Sequence, residues 1–307
     1  MSDISRRNFL ESIGNVVKVA TGAAIFGEAI KSTEAEALEI PPRPSSSGTS
    51  KVDSFKKSDE TIETAPEKEN FGGEFLDDVL MSEIEHIADD FDEPERSRLL
   101  EDAKKIFQEM DAWIYSKRLT GHGQEEKYFS DMLKKWDHCF PVIVKACQDK
   151  EGNRNEELEG VLVSIICGES AMKHDEKNRG KDWGAGYYQI EKPTALEWGL
   201  RVDEEVDERF DFKKTTAIVT RYIRREYAKY GQWGLAMMAF GKGDGGLRKI
   251  IRENFKITDP NPENLLSKKV NIVSIYNKTK NNPHTFTKAV LARRFKIILE
   301  KHQNSKK

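Results

Sequence analysis

The chain has 307 residues, of which 37% are hydrophobic and 34% are charged, and its mean hydropathy is −0.69. This length suits one large domain or two modest ones, and the composition excludes a polytopic membrane protein. The 50 basic and 53 acidic residues give a net charge of −3, with no long tract of one sign. Because a phosphate backbone is bound by clustered positive charge, we do not expect a dedicated nucleic-acid-binding protein.

Cysteine and histidine usage points away from disulfides and metals. Three cysteines are too few for a disulfide scaffold, and the six histidines show no paired ligand spacing. Cys139 and Cys147 share one predicted helix, about 12 Å apart by helical rise, which is too far for a bridge, although either could meet Cys167. The sequence has no phosphate-binding glycine loop and no H-E-x-x-H motif. We predict buried free thiols, no metal and no cofactor.

The N-terminus has the features of an export signal. Arg6 and Arg7 precede a polar residue, Phe-Leu and a moderately apolar stretch over 13–30, which resembles a twin-arginine signal. Two charged residues interrupt this stretch, so it falls short of the roughly 18 to 20 apolar residues that a stable membrane span needs. The small-x-small pattern at 35–37 fits a signal-peptidase site. We therefore predict a signal peptide over 1–37 and export by the twin-arginine translocase to the periplasm, the cell envelope or the medium.

Composition changes twice after the predicted signal. Residues 38–73 are rich in Pro, Ser, Lys, Glu and Thr, which predicts a disordered linker because such a segment buries too little apolar surface to offset its ordering entropy. Apolar residues at three- and four-residue intervals then predict a helix over 74–89 and, after an N-cap near Asp92, a second helix. We assign 74–130 as a helical arm, which packs on the rest of the chain or binds a protein partner.

A single carboxylate ends the most apolar predicted helix. One helix is predicted over 137–149, and the next runs from Glu156 to Cys167 and ends at Glu169. Burial and the negative end of the helix dipole both favour the protonated form of Glu169. A protonated carboxyl group is what general-acid cleavage of a glycosidic bond requires. The alternative is an ordinary solvated helix end.

Four sequence blocks decide between these alternatives. The blocks are G-E-S at 168–170, G-A-G-Y-Y-Q-I at 184–190 with P-T-A at 193–195, W-G-L-A-M-M-A-F-G-K-G at 233–243, and F-T-K-A-V-L-A at 286–292. In both order and spacing, these blocks resemble the lytic transglycosylase domain of the soluble, goose-lysozyme-like superfamily. The resemblance implies a mainly α fold, with a lysozyme-like helical domain over 131–304 that contains a short loop or β-like substrate region and follows the helical arm.

The resemblance also implies a reaction. Members of this family cleave the β-1,4 bond between N-acetylmuramic acid and N-acetylglucosamine in peptidoglycan glycan strands. The catalytic glutamate of the family carries over to Glu169, which protonates the glycosidic oxygen and then takes the proton of the muramic acid C6 hydroxyl as it attacks C1. The product is a 1,6-anhydro sugar, so the enzyme is a carbon-oxygen lyase.

Six further positions match residues that face the substrate in the family. These candidate substrate-binding residues are Ser170, Gly186, Tyr187, Tyr188, Gln189 and Phe240. Core packing is the alternative for whichever tyrosine points inward. The chain departs from the family at Phe240 and Gly241, where the family has tyrosine and asparagine, at Phe286, where it has tyrosine, and at Asn282, where it has glutamate.

Two other functions remain open from the sequence. A goose-type lysozyme would hydrolyse the same bond, and Asp182 is the candidate second carboxylate that would orient water, with Asp175 and Glu176 as further candidates. Inversion would require carboxyl groups roughly 6.5 to 9.5 Å apart. The second alternative is a noncatalytic glycan-binding or cell-envelope assembly protein, whose arm docks a partner.

Overall fold

The computed structural model describes residues 79–117, 119, 124–173, 184–279 and 284–305. These residues belong to a single compact unit. The predicted signal peptide and linker lie outside the described residues, and so do Asp182, Asp175, Glu176 and Asn282. Within the described ranges, no helix has the length and apolar character to cross a membrane.

Helices account for nearly all regular structure in the described ranges, which confirms the predicted mainly α fold. The helices are α1 (Val79–Ala88), α2 (Glu95–Lys117), α3 (Gln124–Cys147), α4 (Glu156–Glu169), α5 (Lys192–Glu197), α6 (Phe212–Tyr230), α7 (Trp233–Lys242), α8 (Asp244–Phe255), α9 (Pro262–Ser267), α10 (Ile272–Thr279) and α11 (His284–Asn304). A 3₁₀ turn over Glu208–Phe210 precedes α6. Two isolated antiparallel bridges, Ala185 with Ile190 and Val202 with Asp207, are the β-like elements.

Helix α3 is longer than predicted. The helix expected over 137–149 begins at Gln124, because Phe129, Met132 and Trp136 extend its buried stripe toward the N-terminus. Pro141 lies inside the helix and does not end it. The predicted boundary between the arm and the lysozyme-like domain falls between residues 130 and 131. In the structure, both residues belong to one continuous helix.

Helix α4 is the centre of the fold. Asn155 caps its N-terminus by accepting a hydrogen bond from the Leu158 amide at 2.9 Å. Every residue over 158–167 is buried, and α11, α3, α7, α6 and α1 all pack against this helix. Such enclosure fixes the position of the helix, and with it the position of Glu169 at its last turn.

The arm packs on the rest of the unit through α1 and α2. Glu83 on α1 accepts hydrogen bonds from the backbone amides of Trp233 and Gly234, the latter at 2.8 Å, at the first turn of α7. Backbone amides at a helix start have no partner within the helix, so Glu83 acts as a cap supplied by another element. Asp111 on α2 accepts two hydrogen bonds from Arg294 on α11, at 2.7 and 2.8 Å.

The three cysteines are free and buried, which confirms the prediction for the thiols. The Cys167 thiol donates to the Met132 sulfur at 3.6 Å inside the core. Burial raises the pKa of Cys139 to about 11 and the pKa of Cys147 to about 12. These side chains therefore behave as small apolar core residues.

Candidate active site

Glu169 lies at the C-terminal end of α4 and forms an ion pair with a buried lysine. Its Oε1 is 2.8 Å from Nζ of Lys288, which projects from α11. The Glu169 side chain is 26% exposed, whereas Lys288 is only 4% exposed. The carboxyl group is therefore accessible from outside while its counter-ion approaches from the core side.

Gly168 gives Lys288 its path to Glu169. A Cβ at Gly168 would lie 2.2 Å from Cγ of Lys288 and 3.3 Å from its Cα, so only glycine fits there. At Gly241, a Cβ would lie 3.5 Å from Nζ of Lys288. The ammonium group also lies 5.3 Å from the centre of the Phe240 ring, at cation–π distance.

The turn after Glu169 connects α4 to the glycine-rich loop. The Ser170 hydroxyl donates to the Tyr187 carbonyl at 2.8 Å and accepts from the Met172 amide at 3.0 Å. Ala171 and Met172 are buried with positive φ values of 48° and 58°. Lys135 on α3 donates to the Met172 carbonyl at 2.8 Å. Ser170 thus links the turn to the loop through protein contacts.

The loop over 184–190 is a tight hairpin closed by the Ala185–Ile190 bridge. Gly186 has a φ of 72°, and a Cβ there would lie 1.8 Å from the carbonyl oxygen of Arg209. The side-chain amide nitrogen Nε2 of Gln189 donates to the Gly186 carbonyl at 2.8 Å. Glycine is therefore needed at 186 because the hairpin backbone packs directly against the Arg209 carbonyl. The Gln189 side chain stabilises the turn from within the same loop.

A buried arginine supports this hairpin from behind. Arg209 is 3% exposed and pairs with Asp207 at 2.6 Å, and it also donates to the Ile190 carbonyl at 3.3 Å. Burial alone would raise the pKa of Asp207, but the hydrogen bonds from Arg209 outweigh burial and lower it. Asp207 is thus held as the charged partner that a buried guanidinium needs.

The two tyrosines of the hairpin face different environments. Tyr187 is half-buried and packs edge-on against Phe212, with ring centres 4.9 Å apart. Tyr188 is fully buried, and its hydroxyl is 3.0 Å from that of Thr216. The expectation that Tyr188 contacts substrate is therefore wrong for this structure, because its ring packs in the core. Tyr187 is the more exposed member of the pair.

Phe240 is half-buried at the end of an aromatic cluster. Trp198 and Tyr222 lie beside it, with ring centres 6.3 and 6.1 Å from the Phe240 ring. The Tyr222 hydroxyl donates to the Ala239 carbonyl at 3.0 Å. Phe240 connects this aromatic cluster to Lys288, because the Lys288 ammonium group lies beside its ring.

The fully buried Phe286, a departure noted in the sequence, packs edge-on against Phe107 and Tyr276. It contributes to the core two residues before Lys288 on α11.

A cavity of about 260 Å³ lies at the opposite end of α4, lined in part by Arg154, Arg224 and Trp233. Arg224 donates to the Cys147 carbonyl at 2.7 Å, and Arg154 pairs with Glu159 at 2.6 Å, so both guanidinium groups have protein partners. The 14-residue helix separates this cavity from Glu169 by roughly 20 Å. The cavity is therefore not part of the catalytic site.

The structure brings together Glu169, Ser170, Gly186, Tyr187 and Gln189 around one turn and one hairpin. Sequence reasoning gave Lys288 no role, although the residue lies within the F-T-K-A-V-L-A block at 286–292, because that block does not show that the lysine side chain reaches Glu169. The available signals were a charged residue on an otherwise buried helical face and the glycine immediately before Glu169. Among the described residues, no group of His, Cys, Asp and Glu side chains has the arrangement to hold a metal ion.

These features define a class of protein: a helical domain with one acid at the end of a buried helix beside a glycine-rich hairpin. A family model described as the transglycosylase SLT domain matches residues 146–261. The match supports a lytic transglycosylase, lysozyme-like domain in this part of the chain. It includes Glu169, the hairpin and Phe240, whereas Lys288 lies beyond it. No curated protein and no solved structure gives a significant match.

Proposed function

We propose that this protein is a peptidoglycan lytic transglycosylase in which Glu169 is the catalytic acid and base. The observation that carries the proposal is the partly exposed Glu169 carboxyl group, fixed at the end of α4 next to the hairpin, within the region that matches the transglycosylase model. Its position matches the one-acid chemistry of anhydro-sugar formation, in which the substrate supplies its own nucleophile.

The reaction has two proton transfers through the same carboxyl group. Protonated Glu169 donates its proton to the glycosidic oxygen as the bond from that oxygen to C1 of muramic acid breaks. The leaving N-acetylglucosamine departs with a new hydroxyl group, and Glu169 becomes a carboxylate. The C6 hydroxyl of muramic acid then attacks C1, and its proton returns to Glu169. Atoms balance without water, and the enzyme ends in its starting state.

The surrounding residues keep the acid in place for this sequence. Ser170 ties the turn after Glu169 to the Tyr187 carbonyl, and Gln189 braces the hairpin through Gly186. We assign the glycan contacts to Tyr187, to the hairpin backbone and to Phe240. The rings of Tyr187 and Phe240 are both half-buried. An aromatic ring with one open face is suited to packing on the apolar face of a sugar.

The central experiment digests purified peptidoglycan with wild-type protein and with Glu169→Gln in water labelled with ¹⁸O. The proposal expects muropeptides with 1,6-anhydro ends and no ¹⁸O from the wild type, and no turnover from Glu169→Gln. Glu253→Gln is the matched control, since it makes the same chemical change on an exposed face of α8 and should retain wild-type activity.

The other outcomes identify the alternatives. Reducing ends that carry ¹⁸O would show hydrolysis, and would direct attention to Asp182 as the residue that orients water. Wild-type protein that binds peptidoglycan without cleaving it would support a noncatalytic glycan-binding or assembly role. Full activity of Glu169→Gln would refute the assignment of Glu169.

A protein that acts on peptidoglycan works outside the cytoplasm, and we propose that residues 1–37 direct this chain there through the twin-arginine translocase. The proposal is supported by the Arg6-Arg7 pair, the apolar stretch and the small residues at 35–37. Replacing Arg6 and Arg7 with lysine should retain the full-length precursor in the cytoplasm, as measured by fractionation. Normal export of this variant would refute the assignment.

A further inference from the structure

Lys288 is a charged side chain in an environment that does not favour charge. It is 4% exposed, lies on a helix whose neighbouring residues over 285–292 are all buried, and carries an ammonium group. Burial of such a group is costly unless it is paired with an opposite charge. The group at its end is Oε1 of Glu169, at 2.8 Å.

The surrounding structure is shaped around this lysine. Gly168 leaves the space that Cγ of Lys288 occupies, since a Cβ there would be 2.2 Å away. A Cβ at Gly241 would be 3.5 Å from Nζ, at ordinary contact distance. Phe240 places its ring 5.3 Å from the same atom. Gly168 is therefore the position that the lysine stem requires to be glycine, and the ammonium group lies against Glu169 and beside Phe240.

We propose that Lys288 is a positioning residue for the reaction of Glu169, an inference that rests on the function proposed above. By binding Oε1, Lys288 fixes the rotation of the carboxyl group and leaves Oε2 as the oxygen that exchanges the proton with the glycan. Its charge also balances the carboxylate that exists between the two proton transfers.

The second role follows from when the negative charge is present. The proposed cycle uses the neutral acid before the glycosidic bond breaks and the carboxylate after it, and the ion pair with Lys288 belongs to the carboxylate state. An ammonium group at fixed distance interacts more strongly with the carboxylate than with the neutral acid, so its contribution grows along the cleavage step. Lys288 is already enclosed by protein, and little reorganisation is needed when the charge appears.

Lys288→Met tests this inference, because it keeps an unbranched side chain of similar length and removes the charge. We expect kcat on purified glycan strands to fall by at least about tenfold, in line with the loss of support for one acid–base group, while KM changes less than threefold. The KM expectation follows because Lys288 contacts Glu169 and not the glycan. Lys249→Met, on the exposed face of α8, is the control for loss of a lysine and should keep both constants.

Chemical rescue separates positioning from folding. In Lys288→Ala, the removed side chain leaves a slot beside Glu169, and added propylammonium should restore part of kcat in a saturable way. Propylammonium should not restore Glu169→Gln. This experiment also serves if Lys288→Met fails to fold.

The possible results each have a clear meaning. Lower kcat with unchanged KM in Lys288→Met, or amine rescue of Lys288→Ala, supports the inference. Wild-type kcat in Lys288→Met overturns it, and so does a raised KM with unchanged kcat, which would make Lys288 a glycan-binding residue. A folded Lys288→Ala variant that keeps wild-type kcat without the amine would refute the positioning role as well. Failure of the wild type to make anhydro ends would instead refute the proposed function itself.

Discussion

Gly168→Ala probes the contact between α4 and α11 with a single methyl group. The added Cβ would lie 2.2 Å from Cγ, 3.1 Å from Cβ and 3.3 Å from Cα of Lys288. Carbon atoms pack at about 3.5 to 4.0 Å, so Cγ of Lys288 must move by more than 1 Å, whereas its Cβ and Cα need to shift by only a few tenths of an ångström. Cγ can move that far by rotation of Lys288 about its Cα–Cβ bond, which carries the ammonium group away from Glu169.

The expected magnitude combines two opposing effects. Overpacking of this kind costs about 1 to 3 kcal/mol, and replacing a helical glycine with alanine returns about 1 kcal/mol through helix propensity. We therefore expect a net loss of up to about 2 kcal/mol in the free energy of unfolding, or a fall in Tm of up to about 8 °C for a domain of this size. Displacement of Lys288 from Glu169 should lower kcat as well.

The assay is thermal unfolding together with glycan-strand turnover. Gly245→Ala is the control, because Gly245 lies in the first turn of α8 with no atom within 4 Å of its added Cβ, and we expect unchanged activity and an equal or higher Tm. Adding Lys288→Ala to Gly168→Ala removes the Cγ overlap and should recover Tm without recovering activity. Wild-type stability and wild-type kcat in Gly168→Ala would refute the reasoning.

Three further predictions test the supports of the site. Gly186→Ala should abolish activity and lower Tm, because its Cβ would overlap the Arg209 carbonyl at a positive φ; retention of wild-type turnover would contradict this. Asp207→Asn leaves the buried Arg209 without its counter-ion and should cost about 2 to 3 kcal/mol at pH 7 by denaturant unfolding. Since the pKa of Asp207 is lowered in the folded state, its contribution is present above about pH 4 and lost on acidification, so the variant should show a smaller loss of stability from pH 5 to 2. Glu83→Ala removes the cap on α7 and should cost about 1 to 2 kcal/mol; an unchanged midpoint would show that the arm contact is not stabilising.

The sequence predicted the helix that carries Glu169 and the hairpin well, because both depend on local rules. The mostly apolar segment from Leu158 to Cys167 indicates a buried element, and the position of Glu169 follows directly from where that segment ends. The glycines at 184 and 186 likewise indicate a turn on their own.

Features that depend on distant contacts were less accessible. Helix α3 was predicted to begin late because the charged residues between Phe129 and Trp136 obscure a stripe that is buried only when α4 and α11 are in place. Tyr188 and Tyr187 are adjacent and chemically alike, and only the position of Thr216 on α6 decides that Tyr188 is the buried one. The role of Lys288 could not be identified, since its partner lies on another helix and the sequence block that contains the lysine does not show which residue it contacts.

The fit between Gly168 and Lys288 also has a consequence for sequence variation. A homologue with a lysine at the position of Lys288 would need glycine at the position of Gly168, because any side chain there occupies the same space. If the lysine were replaced by a small residue, the glycine would no longer be required. The two positions should therefore change together during evolution, although 120 residues separate them.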